Sequence, residues 1–481
     1  MRDDFLDEIA KSIEHITSLS KETSLVFGAP VKKDGFLYNA AICISEGNLV
    51  ETYFKQILPN YKEFDEKRYF EKGNKNKIIK IKSIPIGLSI CEDIWSEAFV
   101  NNLVDEGAEI ILNLSASPYT TSKKETRKKM LSSYYEKYQR PIVYVNQTGG
   151  QDELVFDGSS LILGSSEKNL VELKSFEIDS LNFEYRDSKI NFLNSCLTND
   201  QNYLKDVYDA LVLGTKDYVE KNNFRGVLIG SSGGIDSALT AAIAYDALGK
   251  GRVKTIMMPF DFTADISIED AGSLAKNLGI EHSEISIKEM YESFSLALKE
   301  SFEGMGIDKT EENLQSRCRG VTLMALSNKL GFLVLTTGNK SEAAVGYSTL
   351  YGDTAGGFSV LKDVSKTLVY ELANYRNSLS VVIPKRIIER PPSAELAPDQ
   401  KDTDSLPDYD RLDPIIEMYV EDDKSIQEII NEGFDEKEVR RIVSLIDFNE
   451  YKRRQAPLGI KISDRNFGKD RRYPITNSWK P

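Results

Sequence analysis

Two stretches of this chain set reactive groups where chemistry needs them. In GLSICEDIW, residues 87 to 95, Cys91 closes a short apolar run and is followed at once by Glu92 and Asp93. A thiol attacks only as its thiolate, so such a site also needs a base and a cation to steady the charge that develops. In GVLIGSSGGIDSALTAAIAY, residues 226 to 245, a buried-strand pattern runs into Ser231, Ser232, Gly233 and Gly234, and a helix opens at Asp236 and Ser237. Glycines permit a sharp turn that aims several N–H groups at one point, and the helix N-terminus adds its positive dipole end. The expected product is a phosphate cradle. Taken alone, a cysteine ending a strand is more often a small buried residue, and a lone Gly-Gly is more often a turn.

The elements that must hold these groups follow from periodicity. The first 180 residues alternate β-rich runs (SLVFGAP, AAICI, IPIGLSI, EIILNLSA, PIVYVNQ, SSLILG) with helical stretches such as SKKETRKKMLSSYYEKYQ, which indicates α/β layers. The pattern weakens between about residues 165 and 200, a polar tail and linker, and a boundary is expected near residue 190. The second half opens on the amphipathic helix NYLKDVYDALVLGTKDYVEKN and then alternates strands and helices (GVLIG, VKTIMMPF, HSEISI, FLVLTTG), a parallel doubly wound pattern. Residues 390 to 412, rich in Pro, Asp and Ser, read as an ordered loop or lid.

Composition bounds the partners. With 481 residues, 41% hydrophobic and 28% charged, the chain is globular and long enough for two or three cores. A net charge of -14 argues against broad contact with nucleic acid or anionic membrane, and no apolar run reaches the about eighteen residues of a membrane helix. The scattered Cys43, Cys91, Cys196 and Cys318 show no metal or disulfide spacing, so reduced thiols in the cytoplasm are expected.

The loop Ser232 to Ser237 lacks the lysine of a P-loop and the spacing of GxGxxG. It resembles the SGGxDS loop of the ATP pyrophosphatases, which hold the pyrophosphate of ATP and release it whole. The runs EENLQSRCRGVTLMALSNK and LVLTTGNKSEAAVGYSTLYGDTAGGFSVLKDVSKTLVYEL are similar to the ATP and metal segments of the NAD synthetases. Over nearly the whole chain the sequence resembles the glutamine-dependent NAD synthetases. That resemblance implies an α/β protein: an incomplete nitrilase-like αββα sandwich over 1–185 and a doubly wound parallel sheet of the ATP pyrophosphatase type over 190–481. It implies ATP-dependent amidation of deamido-NAD to NAD, and a homo-oligomer.

Carried onto this sequence, the resemblance assigns Gly230, Ser231, Ser232, Gly233, Gly234, Ile235, Asp236, Ser237, Thr337, Lys366 and Ser393 to ATP. It assigns Asn313, Glu342 and Lys452 to deamido-NAD, with Arg317 or Arg319 on its phosphates, and Asp236 and Glu342 to Mg. Two carboxylates completed by substrate phosphates suit that ion. No histidine is required, consistent with only His15 and His282 in the chain. In the first half, Cys91 matches the nucleophile and Lys55 the oxyanion lysine of the nitrilase-type amidohydrolases, and Tyr61, Ser117 and Lys123 match residues that bind glutamine. The partner motif at Lys55 raises Cys91 above a buried spectator.

One departure is expected to matter. The family's glutamate base precedes the point that MRDDFLDEI resembles; Glu8, Glu14 and Glu22 have no matching motif, and Glu92 and Asp93 read as structural. Either the sequence starts at an internal methionine or it is a shortened form using free ammonia. Loss of a core strand would leave an open sheet edge, which favours the first. The expectation is activity with ammonium and little with glutamine. Rival readings are another adenylating amidotransferase, against which TTGNKSE and YGDTAGGF tell, and a non-catalytic nucleotide-binding protein, against which the intact loop and Glu342 tell.

Overall fold

The structure, a computed structural model, describes residues 1–164, 170–193, 202–397, 400–404, 406–477 and 479; Cys196 and part of the expected linker lie outside them. The chain forms two compact units: Met1–Gly149 with Phe156–Gln201, and Gly150–Val155 with Asn202–Pro481.

The first unit opens with α1 (Asp3–Leu19), followed by β1 (Leu25–Lys33), β2 (Phe36–Ser45) and β3 (Asn48–Phe54). Then come α2 (Glu66–Tyr69), β4 (Ile78–Ile81), β5 (Ile84–Ile90), α3 (Glu97–Asp105), β6 (Ile110–Ser115), α4 (Lys123–Tyr138) and β7 (Ile142–Asn146). A hairpin of β8 (Thr148–Gln151) and β9 (Leu154–Asp157) precedes β10 (Leu161–Leu163), β11 (Leu170–Glu172) and a hairpin of β12 (Phe183–Arg186) and β13 (Lys189–Phe192). The last hairpin occupies part of the stretch expected as linker; its polar, short strands carry too little periodicity to be read in advance.

Two sheets dominate this unit, an antiparallel β1-β2-β3 and a six-stranded β11-β10-β7-β6-β5-β4 whose centre, β5 to β7, is parallel. Alternation along β2 explains their stacking. Ala40, Ile42 and Ile44 face Ile13 and Ile16 of α1, whereas Ala41 and Cys43 join Tyr53, Leu88, Ile90, Leu103, Ile111 and Leu131 in the main core. Successive side chains of a strand point to opposite faces, so a strand covered on both sides is apolar throughout. The layers are α1, the first sheet, the second sheet, then α3 and α4: an αββα sandwich.

The second unit contains α5 (Tyr203–Lys221), β14 (Val227–Gly230), α6 (Ile235–Leu248), β15 (Val253–Met257), α7 (Asp265–Leu278), β16 (Glu281–Glu284), α8 (Lys288–Leu298) and α9 (Lys309–Leu330). β17 (Leu333–Thr336), α10 (Lys340–Val345), β18 (Phe358–Ser359) and α11 (Lys366–Leu379) follow. Five more helices complete it: α12 (Lys385–Glu389), α13 (Tyr409–Ile416), α14 (Ile426–Asn431), α15 (Glu436–Phe448) and α16 (Glu450–Arg453). Its sheet is wholly parallel in the order β16-β15-β14-β17-β18. Chain order runs outward from β14 in one direction and resumes at β17 in the other, so the crevice between β14 and β17 is the switch point at which such sheets bind ligands. The Gly loop after β14 opens there. α6, apolar on every side, is buried along most of its length, which fixes the turn that precedes it.

Candidate active sites

In the first unit, Cys91 follows β5 at the start of a short 3₁₀ turn, and its φ of 44° lies in the left-handed region. A non-glycine residue held there stores strain, and the surrounding structure must over-determine it. Asp93 supplies that restraint. Its Oδ2 accepts the Ile90 N–H at 3.0 Å and the Tyr53 hydroxyl at 2.7 Å, and its Oδ1 accepts the N–H groups of Gln56 and Ile57 at 3.1 and 2.8 Å. One carboxylate thereby ties the cysteine turn to the chain that leaves β3, where Lys55 stands. Asp93 is structural, as its position suggested.

Lys55 is buried, and its Nζ donates to both oxygens of Glu66, at 2.8 and 2.7 Å. Burial pushes the Cys91 thiol upward; Lys55 and, more weakly, Lys123 pull it back, while Glu92 and Glu66 oppose them. The resting group is a protonated thiol that needs a base. Lys123, the first residue of α4, lies 4.1 Å from the centroid of the Trp95 ring, and burial lowers its affinity for a proton. Tyr61 donates to Glu92 Oε1 at 2.8 Å, so Glu92 faces this group of residues and does not brace the turn. Ser117 is buried just beyond β6, its N–H donated to Asn146 Oδ1 at 2.9 Å. Glu92 reads as structural from its place beside the cysteine, and its bond to Tyr61 corrects that reading; Glu66 sits in a charged run that reads as solvated surface. The only signal for Glu66 was its place in the Lys55 motif, YFKQILPNYKEFDEKRYF.

In the second unit a cavity of about 550 Å³ gathers every residue that the sequence assigned to ATP, deamido-NAD or metal. Gly230 to Ser237 form one wall, with Asn313, Thr337, Glu342, Lys366, Ser393 and Lys452 around the rest. Of the two arginines weighed, Arg319 lines the cavity; Arg317 is exposed and donates to the Leu350 carbonyl at 3.3 Å. Gly233 has φ of 76°, and a Cβ there would stand 2.4 Å from the Ser267 carbonyl oxygen, so no other residue fits. Ser237 donates to the Gly234 carbonyl at 3.0 Å, and the Gly234 N–H donates to Ser232 Oγ at 3.2 Å.

Charge concentrates on the cavity floor. Lys366 Nζ lies 2.5 Å from Asp236 Oδ2 and 3.4 Å from Glu342 Oε1, while Asn339 donates to Asp236 Oδ1 at 2.9 Å. Burial, only partly offset by Lys366 and reinforced by Asp236, pushes the Glu342 carboxyl up to about 8. Burial works against the Lys366 ammonium, but Asp236 and Glu342 override it and raise its proton affinity. Asn313 accepts the Thr349 hydroxyl at 2.8 Å, Lys452 donates to the carbonyls of Gly346 and Ser348 at 2.8 and 2.9 Å, and Ser393 donates to the Gln400 carbonyl at 2.5 Å. Asp353, within the quoted YGDTAGGF run but not singled out, also lines the cavity; it accepts the Thr349 N–H at 2.7 Å, and burial raises it above the usual carboxylate range.

Comparison with known proteins matches residues 207–456 to the NAD synthase family and residues 13–180 to the carbon-nitrogen hydrolase family. The glutamine-dependent NAD(+) synthetase of Acinetobacter baylyi is 47% identical over 466 residues, spanning 96% of this chain and 86% of that protein. The one from Thermotoga maritima is 43% identical, spanning 98% and 88%. Among solved structures, the glutamine-dependent NAD+ synthetase from Acinetobacter baumannii in complex with adenosine diphosphate superposes with a TM-score of 0.77 at 43% identity, covering 98% of this chain and 88% of that one.

Proposed function

The chain belongs to the glutamine-dependent NAD(+) synthetase family, and from that premise we infer that it amidates deamido-NAD to NAD at the expense of ATP, with AMP and pyrophosphate as by-products. The observation that carries this reading is the single cavity that joins the Gly loop to Asn313, Glu342, Lys366 and Lys452. The reaction has two stages. The nicotinate carboxylate attacks the α-phosphorus of ATP and pyrophosphate leaves; ammonia then attacks the acyl carbon, giving the amide, AMP and a proton. For the first stage the chain offers the loop N–H groups and the N-terminus of α6 to the departing phosphates, donors already aimed where charge gathers. Lys366, fixed by two carboxylates, is placed to pair with phosphate oxygen.

Asp236 and Glu342 fit magnesium. They are hard oxygen donors, and Glu342 is buried beside a second acid with one lysine between them, a cluster short of positive charge. Among the described residues no group of three or more His, Cys, Asp or Glu is set to hold a metal, so phosphate and water would complete the ligands. Bound there, the ion offsets charge on the phosphates. The other Lys and Arg groups of the wall act by position.

The unit of Met1–Gly149 with Phe156–Gln201 is assigned as the glutaminase domain and that of Gly150–Val155 with Asn202–Pro481 as the synthetase domain, in place of the expected 1–185 and 190–481, because β13 belongs to the first unit. Cys91 is placed as the nucleophile toward the glutamine carboxamide, Lys55 as the partner of the oxyanion, and Tyr61, Ser117 and Lys123 as the residues that hold the amino acid, while no base for the thiol proton is among the residues assigned; the thiol's placement among Lys55, Lys123, Glu66 and Glu92 supports this. Residues Arg317, Val321 and Met324 form an exposed stripe on α9, which supports a homo-oligomer formed by the synthetase unit. The free Cys43, Cys91 and Cys318 suit a reducing cytoplasm. The test supplies purified chain with ATP, deamido-NAD and ammonium chloride and measures AMP and NAD, which should appear one to one; no AMP sinks the reading.

A further inference from the structure

We propose that Asp157 is a positioning residue for the glutamine site, clamping in one arrangement the two elements that carry Ser117 and Lys123. The proposal rests on the glutaminase reading of the first unit. Asp157 ends β9 and has no exposed surface, so it acts through its neighbours and never touches glutamine. Its Oδ2 accepts from Arg127 Nη2, and its Oδ1 accepts from Asn146 Nδ2 at 3.1 Å. Arg127, also buried, lies on α4 one turn beyond Lys123. Asn146 ends β7; its Oδ1 accepts the Ser117 N–H at 2.9 Å and its Nδ2 reaches the Ser117 carbonyl at 3.4 Å.

The chemistry of the amide makes this directional. A carboxylate only accepts, so Asn146 must turn its NH₂ toward Asp157 and its oxygen toward the Ser117 N–H. The charge of Asp157 thus sets the amide, and the amide sets the Ser117 backbone. Through Arg127 the same carboxylate holds α4, and with it Lys123. A buried ion pair is a poor source of stability but an effective way to specify one geometry. No substitute that can also donate would fix the Asn146 amide in the same sense.

The test uses the full chain and two electrophiles. A chloroketone analogue of glutamine alkylates Cys91, the sulfur bonding to the methylene carbon as chloride leaves and the thiol proton passes to solvent. Its saturation kinetics give a binding constant and a maximal rate. Iodoacetamide alkylates the same thiol without amino-acid recognition. Asp157→Asn should weaken chloroketone binding about tenfold while the maximal rate and the iodoacetamide rate stay within about threefold. Should that variant not fold, Arg127→Met should weaken binding similarly and Arg127→Lys should recover most of it. Unchanged binding in these variants, or a parallel fall with both electrophiles, overturns the proposal. A wild-type chain that neither saturates with the chloroketone nor is protected by glutamine overturns the glutaminase reading itself.

Discussion

At Cys91 and Glu342 the local environment sets protonation, and that makes both residues testable. Burial keeps the Cys91 thiol protonated at rest, whereas the synthetase cavity draws on no cysteine chemistry. Cys91→Ala should therefore keep ammonium-driven NAD formation within about twofold, and both chains should form little NAD from glutamine, measured by NAD and AMP release with each nitrogen source; robust glutamine use that Cys91→Ala abolishes would overturn the expectation that the unmatched glutamate base matters. Glu342 is pushed up to about 8 from an ordinary 4.5, so the folded chain binds a proton that the unfolded chain releases above the ordinary value. Stability from this group is present below pH 4.5 and is lost as pH rises through about 8. The melting temperature of Glu342→Gln without ligands should rise relative to wild type across that window, by a few degrees at its upper end, and calorimetry at several pH values would show it. The candidate residues at Cys91, Lys55 and the Gly loop were legible because motif and chemistry coincide there. Glu66 was not, because an acid among lysines looks the same whether it grips a buried lysine or faces water.

At the level of elements, periodicity recovered the apolar strands β2, β5, β6 and β14 and the helices that cover them, since burial on both faces leaves an unbroken apolar run. It did not reveal the β12–β13 hairpin or the role of the β8–β9 turn, whose short polar strands are fixed by tertiary partners. The turn between β14 and α6 gives the sharpest element-level prediction. Gly233→Ala places a methyl against the Ser267 carbonyl in left-handed backbone, so it should cost about 1–3 kcal/mol of stability and raise the KM for ATP at least about tenfold. Denaturant midpoints and initial rates would measure the two effects; a silent substitution would mean that the loop is not held against α7.

Across the whole molecule, the two-unit architecture carries its own prediction. Residues Gly150–Val155 belong to the second unit although the chain on either side belongs to the first. Within the second unit the Gly150 N–H donates to Asp217 Oδ2 at 2.7 Å, Lys221 donates to the Gly150 carbonyl at 2.6 Å, and the Lys461 N–H donates to the Glu153 carbonyl at 2.8 Å. A fragment of residues 202–481 lacks all three partners, and although Lys221 and Asp217 still pair with each other at 2.9 Å, each lost hydrogen bond costs about 0.5–1.5 kcal/mol. Such a fragment should melt several degrees below the corresponding transition of the full chain, with ATP recovering part of the difference.

The excursion of residues 150–155 also limits how such a gene can be recombined. A crossover in the linker joins one parent's hairpin tip to the other parent's Asp217, Lys221 and Lys461, groups that never evolved together. Functional chimeras between related chains should therefore come from exchanges in which those six codons travel with the downstream half, and a breeding experiment that scores crossover points would display that rule as a gap in the tolerated junctions.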